Sequence, residues 1–150
     1  MSKDHTESNK ALLRQAAEQI WNRGNFDAVD KMVAPNSTAR NQGEGMGRED
    51  FKQLVKEMRA GFPDLSFTID AQVAEGDQVV TFATLRGTHK GEFRGLSPTG
   101  NKIEVRGSSH TTVQNGQVVQ ESVIYDQLAM ITQLGVKPES VDLSPRVGKY

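Results

Sequence analysis

Asp126 lies in ESVIYDQLAMITQLG, residues 121–135, a stretch otherwise rich in β-branched, aromatic and aliphatic side chains. An ionised carboxylate is costly to bury without compensation. Asp126 therefore reads either as a pocket acid/base or as a strand-end charge that pairs with an arginine or faces water. Strand alternation sorts its neighbours. Gln120, Ser122, Ile124, Asp126 and Leu128 share one face, and Glu121, Val123 and Tyr125 share the other. In the preceding strand Glu104, Arg106, Ser108, His110 and Thr112 share a face. If the two ionisable faces converge, Asp126 and His110 meet in one pocket, unless a bulge shifts the parity. His110 then suits a base, an oxyanion donor or a proton shuttle, and equally a hydrogen-bonded strand histidine. Arg106 suits an enolate or carboxylate binder, or a structural partner of Glu104 or Asp126. Glu121 reads as a solvent-face or interface charge. Ser122 and Tyr125 are candidate substrate contacts, and Trp21 and Phe62 read as core and pocket wall.

Other chemistries lack their residues. His5, His89 and His110 have no metal-ligand spacing, and no dinucleotide fingerprint opens a helix. There is no nucleophile-elbow motif, and GTHKGEFRG lacks the lysine-serine or lysine-threonine end of a phosphate loop. With no cysteine, disulfides, thiolate metal sites and cysteine nucleophiles are excluded. The expectation is chemistry on side chains alone, with no metal and no cofactor. A net charge of −1, from 18 basic and 19 acidic residues, gives no reason to expect nucleic acid or an anionic membrane as partner. The N-terminus MSKDHTESNK is not a secretory signal, and no apolar run approaches the ~20 residues of a membrane span. A soluble, cytoplasmic protein is expected.

The elements that must position these residues follow from periodicity. Leu12, Leu13, Ala16, Ala17, Ile20 and Trp21 mark an amphipathic helix from Glu7 to Arg23 that Gly24 ends. Phe26, Val29, Met32 and Val33 suggest a shorter helix. Gly47 to Ala60 forms a third, with Glu49 and Asp50 in the first turn and Gly61 and Pro63 as stops. After Pro63 the period becomes two. Leu65, Phe67 and Ile69 alternate, and Val79–His89, Lys102–Val113 and Gln117–Leu128 are strands. Asn115-Gly116 is a hairpin turn, Glu75-Gly76-Asp77 another turn, and Gly91–Gly100 a long loop. Helices followed by antiparallel strands predict an α+β fold, a strongly curved sheet closed into a cone by the helices. Residues 1–135 are expected to form one domain, and 136–150 a tail that is extended or mobile unless a partner subunit holds it.

FPDL at 62–65, AEGDQVV at 74–80, GTHKGEFRGLSPTG at 87–100, NGQVVQE at 115–121 and DQLAMITQLG at 126–135 resemble the SnoaL-like polyketide cyclase (ester cyclase) family. The similarity runs in order from about Lys10 to Gly135, WNRGNFD at 21–27 included. It implies the cone-shaped α+β barrel of the nuclear-transport-factor-like superfamily. It also implies a cofactor-independent intramolecular aldol cyclisation of an aromatic polyketide methyl ester, or a similar apolar carbonyl substrate. The family's acid/base aspartate matches Asp126. Two segments depart from the family pattern. Gln120-Glu121-Ser122 carries no histidine where cyclases commonly do, and Arg40-Asn41 replaces an aspartate-histidine pair. Asn41 would then supply a hydrogen bond to substrate, and His110 the missing imidazole. The alternatives are a hydrolase or isomerase on the same cone, or a non-catalytic module for binding small molecules or oligomerisation. Exposed sheet surface would favour a homodimer or homotetramer in each case.

Overall fold

A computed structural model describes residues 4–137. The expected tail, 136–150, falls almost entirely outside them. The amphipathic N-terminal segment is helix α1, Thr6–Ala16, which continues as a π-helical stretch, Ala17–Asn22. Gly24 ends it with φ +67°. Helix α2, Asp27–Met32, is followed by two strands the periodicity did not reveal, β1 (Val33–Asn41) and β2 (Glu44–Met46). β1 reads VAPNSTARN, with a proline and little apolar alternation, so its strand character comes from pairing rather than pattern. Helix α3, Arg48–Gly61, starts where the Asp50 carboxylate accepts the Gly47 N–H at 2.9 Å. Strands β3 (Ser66–Glu75), β4 (Gln78–Thr88), β5 (Lys102–Gln114) and β6 (Gln117–Tyr125) form an antiparallel meander. Asn115 and Gly116 both have positive φ, as the β5–β6 turn requires.

The six strands form one curved, unclosed sheet in the order β2-β1-β6-β5-β4-β3. β1 runs parallel to β6, and every other pair is antiparallel. The α+β expectation holds.

The last strand is shorter than expected. β6 stops at Tyr125, because Asp126 caps helix α4, Gln127–Gln133. Met130, Ile131 and Leu134 fall three and four apart, a helical spacing, and Gly135 at φ +87° closes the turn.

A bulge in β6 decides which residues face inward. Val113 pairs with Val118, but Thr112 pairs with Gln120, so Val119 is an extra residue. Without it, the face of buried Val118 would continue through Gln120, Ser122, Ile124 and Asp126. With it, the inner face passes to Glu121, Val123 and Tyr125, since one added residue reverses every side chain beyond it. Ile124, now outside, is 69% exposed.

One core cluster joins Met58 and Phe62 to Leu65, Phe93, Ile103, Val105, Met130 and Leu134, beneath α3 and α4. A second joins Ile20, Ala28, Val29 and Val55. Trp21 packs against both clusters and stacks on Phe67 at 5.3 Å. No helix among the described residues is long and apolar enough to cross a membrane.

Candidate active site

Between these clusters and the inner face of the sheet lies a mainly apolar cavity of about 150 Å³, with Trp21, Phe51, Leu54 and Phe67 in its wall. Its side-chain polarity comes chiefly from Asn41, Thr81, Ser109 and Glu121, with Arg94 at the edge. Gly107 also lines it, directly opposite Tyr125. A Cβ there would sit 2.8 Å from the Tyr125 Cβ, so glycine lets the two strands meet and spares cavity space. A second space of about 300 Å³ lies between residues 93–96 and α4. It shares Phe93, Arg94, Tyr125 and Met130 with the inner cavity, so the two chambers adjoin.

The sheet register arranges the polar groups in two adjacent rows. One row is Ala39, Glu121, Thr111 and Val79, and the next is Asn41, Val123, Ser109 and Thr81. Glu121 and Asn41 therefore lie on neighbouring strands, one row apart. The Asn41 Oδ1 and Thr81 Oγ1 atoms are buried without hydrogen-bond partners. Such an atom costs about 1–3 kcal/mol unless something satisfies it, and both residues line the cavity.

Glu121 retains surface where it borders the cavity, but its carboxyl is set deep in protein. Burial pushes its pKa up to about 7, opposed only by a hydrogen bond from the Thr111 hydroxyl at 3.5 Å. No cation contributes. The group is thus poised between acid and base near neutrality, as proton-transfer catalysts are.

The residues expected from sequence divide accordingly. Asn41, Trp21 and Tyr125 line the cavity. Asp126 does not: it is exposed, and its Oδ1 accepts the Ala129 N–H at 2.9 Å as the cap of α4. His110 and Arg106 are exposed on the opposite face of β5, where His110 hydrogen-bonds Gln78. The inner face of β5 carries Ile103, Val105, Thr111 and Val113, all buried. That apolar alternation was visible in the sequence and should have placed Arg106 and His110 outside. Ser122 is exposed, turned out by the bulge. Phe62 is fully buried in the core beside Phe93 and His89, not in the cavity wall. Glu121, which the sequence reads as a solvent-face or interface charge, is brought inside by the β6 bulge. Among the described residues no group of acidic or histidine side chains could hold a metal ion.

The Asp126 placement has a direct consequence. Asp126→Ala removes a helix cap, so denaturant unfolding should show a loss of about 1 kcal/mol. Asp126→Asn, an equally good cap, should leave stability nearly unchanged. Turnover per folded molecule should persist in both, and its abolition in Asp126→Asn would return the catalytic role to that residue.

The model of the SnoaL-like polyketide cyclase family matches residues 11–134. Among solved structures, AclR from Streptomyces galilaeus, described as a candidate hydroxylase, superposes with a TM-score of 0.80 at 26% identity, covering 89% of this chain and 99% of its own. IdmH from Streptomyces antibioticus, a candidate polyketide cyclase, gives 0.76 at 28%, covering 85% and 99%. A candidate polyketide cyclase from Acidithiobacillus ferrooxidans gives 0.73 at 30%, covering 85% and 94%. No curated protein matches the chain at a significant level.

Proposed function

The chain belongs to the SnoaL-like polyketide cyclase family, and from that premise we propose that it is a cyclase whose acid/base group is Glu121. The observation that carries the reading is a carboxyl of raised pKa in an apolar cavity, one row from an amide oxygen without a partner. The substrate class is an apolar carbonyl compound able to fold on itself, and the reaction an intramolecular aldol closure.

The Glu121 carboxylate takes a proton from a carbon flanked by carbonyls, and the electron pair moves onto oxygen as an enolate. Desolvation strengthens the carboxylate as a base, because burial disfavours its charged form. The enolate carbon attacks a second carbonyl of the same molecule. A C–C bond forms, and the new alkoxide takes back the proton now on Glu121. Atoms and electrons balance with one carboxyl serving both steps. The Thr81 hydroxyl and the Asn41 amide N–H donate hydrogen bonds to substrate oxygens, where charge develops, while the unpartnered Asn41 Oδ1 accepts from a substrate hydroxyl. The aromatic wall holds the chain folded so that carbon and carbonyl approach.

Size constrains the pose. A dry cavity of ~150 Å³ accommodates about one benzene ring. The reacting end of a polycyclic substrate fills the inner chamber, and the remainder extends into the outer space of about 300 Å³.

A site-assigned carboxyl NMR titration tests the proposal. A Glu121 midpoint near 7 supports it. A midpoint at the ordinary 4.5 would mean a hydrated carboxylate and sink the acid/base assignment.

A further inference from the structure

We propose that Arg94 is an anion-recognition residue at the junction of the two chambers, and that the substrate is an apolar carbonyl compound bearing a free carboxylate. The proposal rests on the reading of the cavity as a substrate site. It departs from the ester substrates that the family resemblance implies.

The distribution of charge is the first argument. Among the described residues, the inner chamber is lined by two charged side chains of opposite sign, Glu121 and Arg94, and Arg94 is also the one charged residue lining the outer chamber. A molecule spanning both would meet a carboxyl at the reacting end and a guanidinium at the junction. Guanidinium groups bind carboxylates through paired, charge-assisted hydrogen bonds.

The backbone is the second argument. Phe93-Arg94-Gly95-Leu96 is a two-residue turn closed by reciprocal bonds, Phe93 N–H to Leu96 O at 3.0 Å and Leu96 N–H to Phe93 O at 2.9 Å. Arg94 and Gly95 both have positive φ, +48° and +80°. The first position of such a turn favours asparagine, aspartate or glycine. An arginine there is conformationally disfavoured, and strained residues of this kind cluster at ligand sites.

The turn is also firmly seated. Phe93 is buried against Phe62, and the Lys90 and Gly91 N–H groups donate to the Gly61 carbonyl. A Cβ at Gly91 would run into the Ala60 carbonyl, so the segment lies hard against α3. His89, fully buried, accepts the Thr99 N–H through Nδ1 and anchors the far end.

The guanidinium itself is lightly held. Its ion pair with Glu57 is long, 3.8 Å, with both side chains well exposed, and an exposed pair of this kind contributes little. The guanidinium carbon also lies over the Phe93 ring, 5.2 Å from its centroid, and among the described residues the group has no hydrogen bond to a protein acceptor. Among the described residues, its donors are left for a ligand.

The test compares 2-naphthylacetate with the neutral 2-naphthylacetamide by titration calorimetry at pH 6, where the probe is ionised and Glu121 is mainly protonated. Binding is measured to wild type, Arg94→Asn and Glu57→Gln. Wild type should prefer the anion by about tenfold, the size of one lost charged hydrogen bond. Arg94→Asn should lose that preference, keep its amide affinity and melt no lower, since asparagine suits the turn. Glu57→Gln should bind the anion more tightly. Equal affinity for both probes in wild type, or a preference that survives Arg94→Asn, overturns the proposal and leaves the cavity reading intact. A variant that melts several degrees lower and loses both probes makes Arg94 structural and also overturns it. If wild type binds neither probe, the cavity reading falls and the proposal falls with it.

Discussion

Glu121→Gln should abolish proton transfer while leaving the fold and the cavity in place. Glutamine keeps the shape and can accept the Thr111 hydroxyl, but it cannot take a proton from carbon. General acid/base groups contribute about 10²–10⁴-fold, so the variant should fall by that factor. Exchange of deuterium into the acidic carbon of an aromatic β-keto ester, followed by NMR, reads the first step without requiring the natural substrate. In the wild type that exchange should rise with pH as Glu121 ionises through about 7, then level off. Affinity for the same ester should change little, which separates lost chemistry from lost binding. Exchange retained within tenfold in Glu121→Gln would remove this residue from the mechanism.

The same substitution should stabilise the protein in alkaline solution. Burial raises the Glu121 pKa from 4.5 to about 7 in the folded chain. Between those values the folded chain holds a proton that the unfolded chain has released. Stability from this group is therefore fully present below about 4.5, declines as pH rises, and is lost above about 7. A shift of this size corresponds to roughly 3 kcal/mol at ~1.4 kcal/mol per pH unit. Glu121→Gln carries no charge to desolvate. Urea unfolding at pH 8 should show the variant more stable by up to that amount, with the gap closing towards pH 4. Asp64 works in the opposite sense: hydrogen bonds from Thr88 hold its carboxyl below the usual range, so its contribution is lost as acid protonates it. Because Asp64 is common to both proteins, the difference between them isolates Glu121. A variant no more stable than wild type at pH 8 would contradict the buried carboxyl. A gain in stability with a loss of activity is what a strained catalytic group produces.

Local rules carried most of the architecture. The three-and-four spacing from Leu12 to Trp21 marked the first helix, and the change to alternation after Pro63 marked the meander. Asn115-Gly116 fixed a hairpin because few residues tolerate positive φ at both turn positions. These signals depend on residues near each other in the chain, so they survive without tertiary information. β1 and β2 do not have such signals. They are strands because β6 offers β1 a parallel edge, and that pairing joins residues about 80 positions apart. Asp126 shows a local signal misread. An aspartate before QLAMITQLG is a helix cap as well as a strand end, and the spacing of Met130, Ile131 and Leu134 favours the cap.

The candidate site is where sequence and tertiary structure part. The sequence alone determined that Glu121, Val123 and Tyr125 share a face opposite Ser122, Ile124 and Asp126, because alternation is a property of the strand. It could not determine which face is inside. That was decided by Val119, the extra residue opposite the Thr112–Val113 step of β5, which reverses the strand between Val118 and Glu121. A bulge has no sequence signature of its own here; it exists only where two strands are held in register by the rest of the sheet. Its consequence is electrostatic. The same glutamate would have an ordinary pKa in solvent, and only enclosure by the sheet, α3 and the aromatic wall removes its water and raises it towards neutrality.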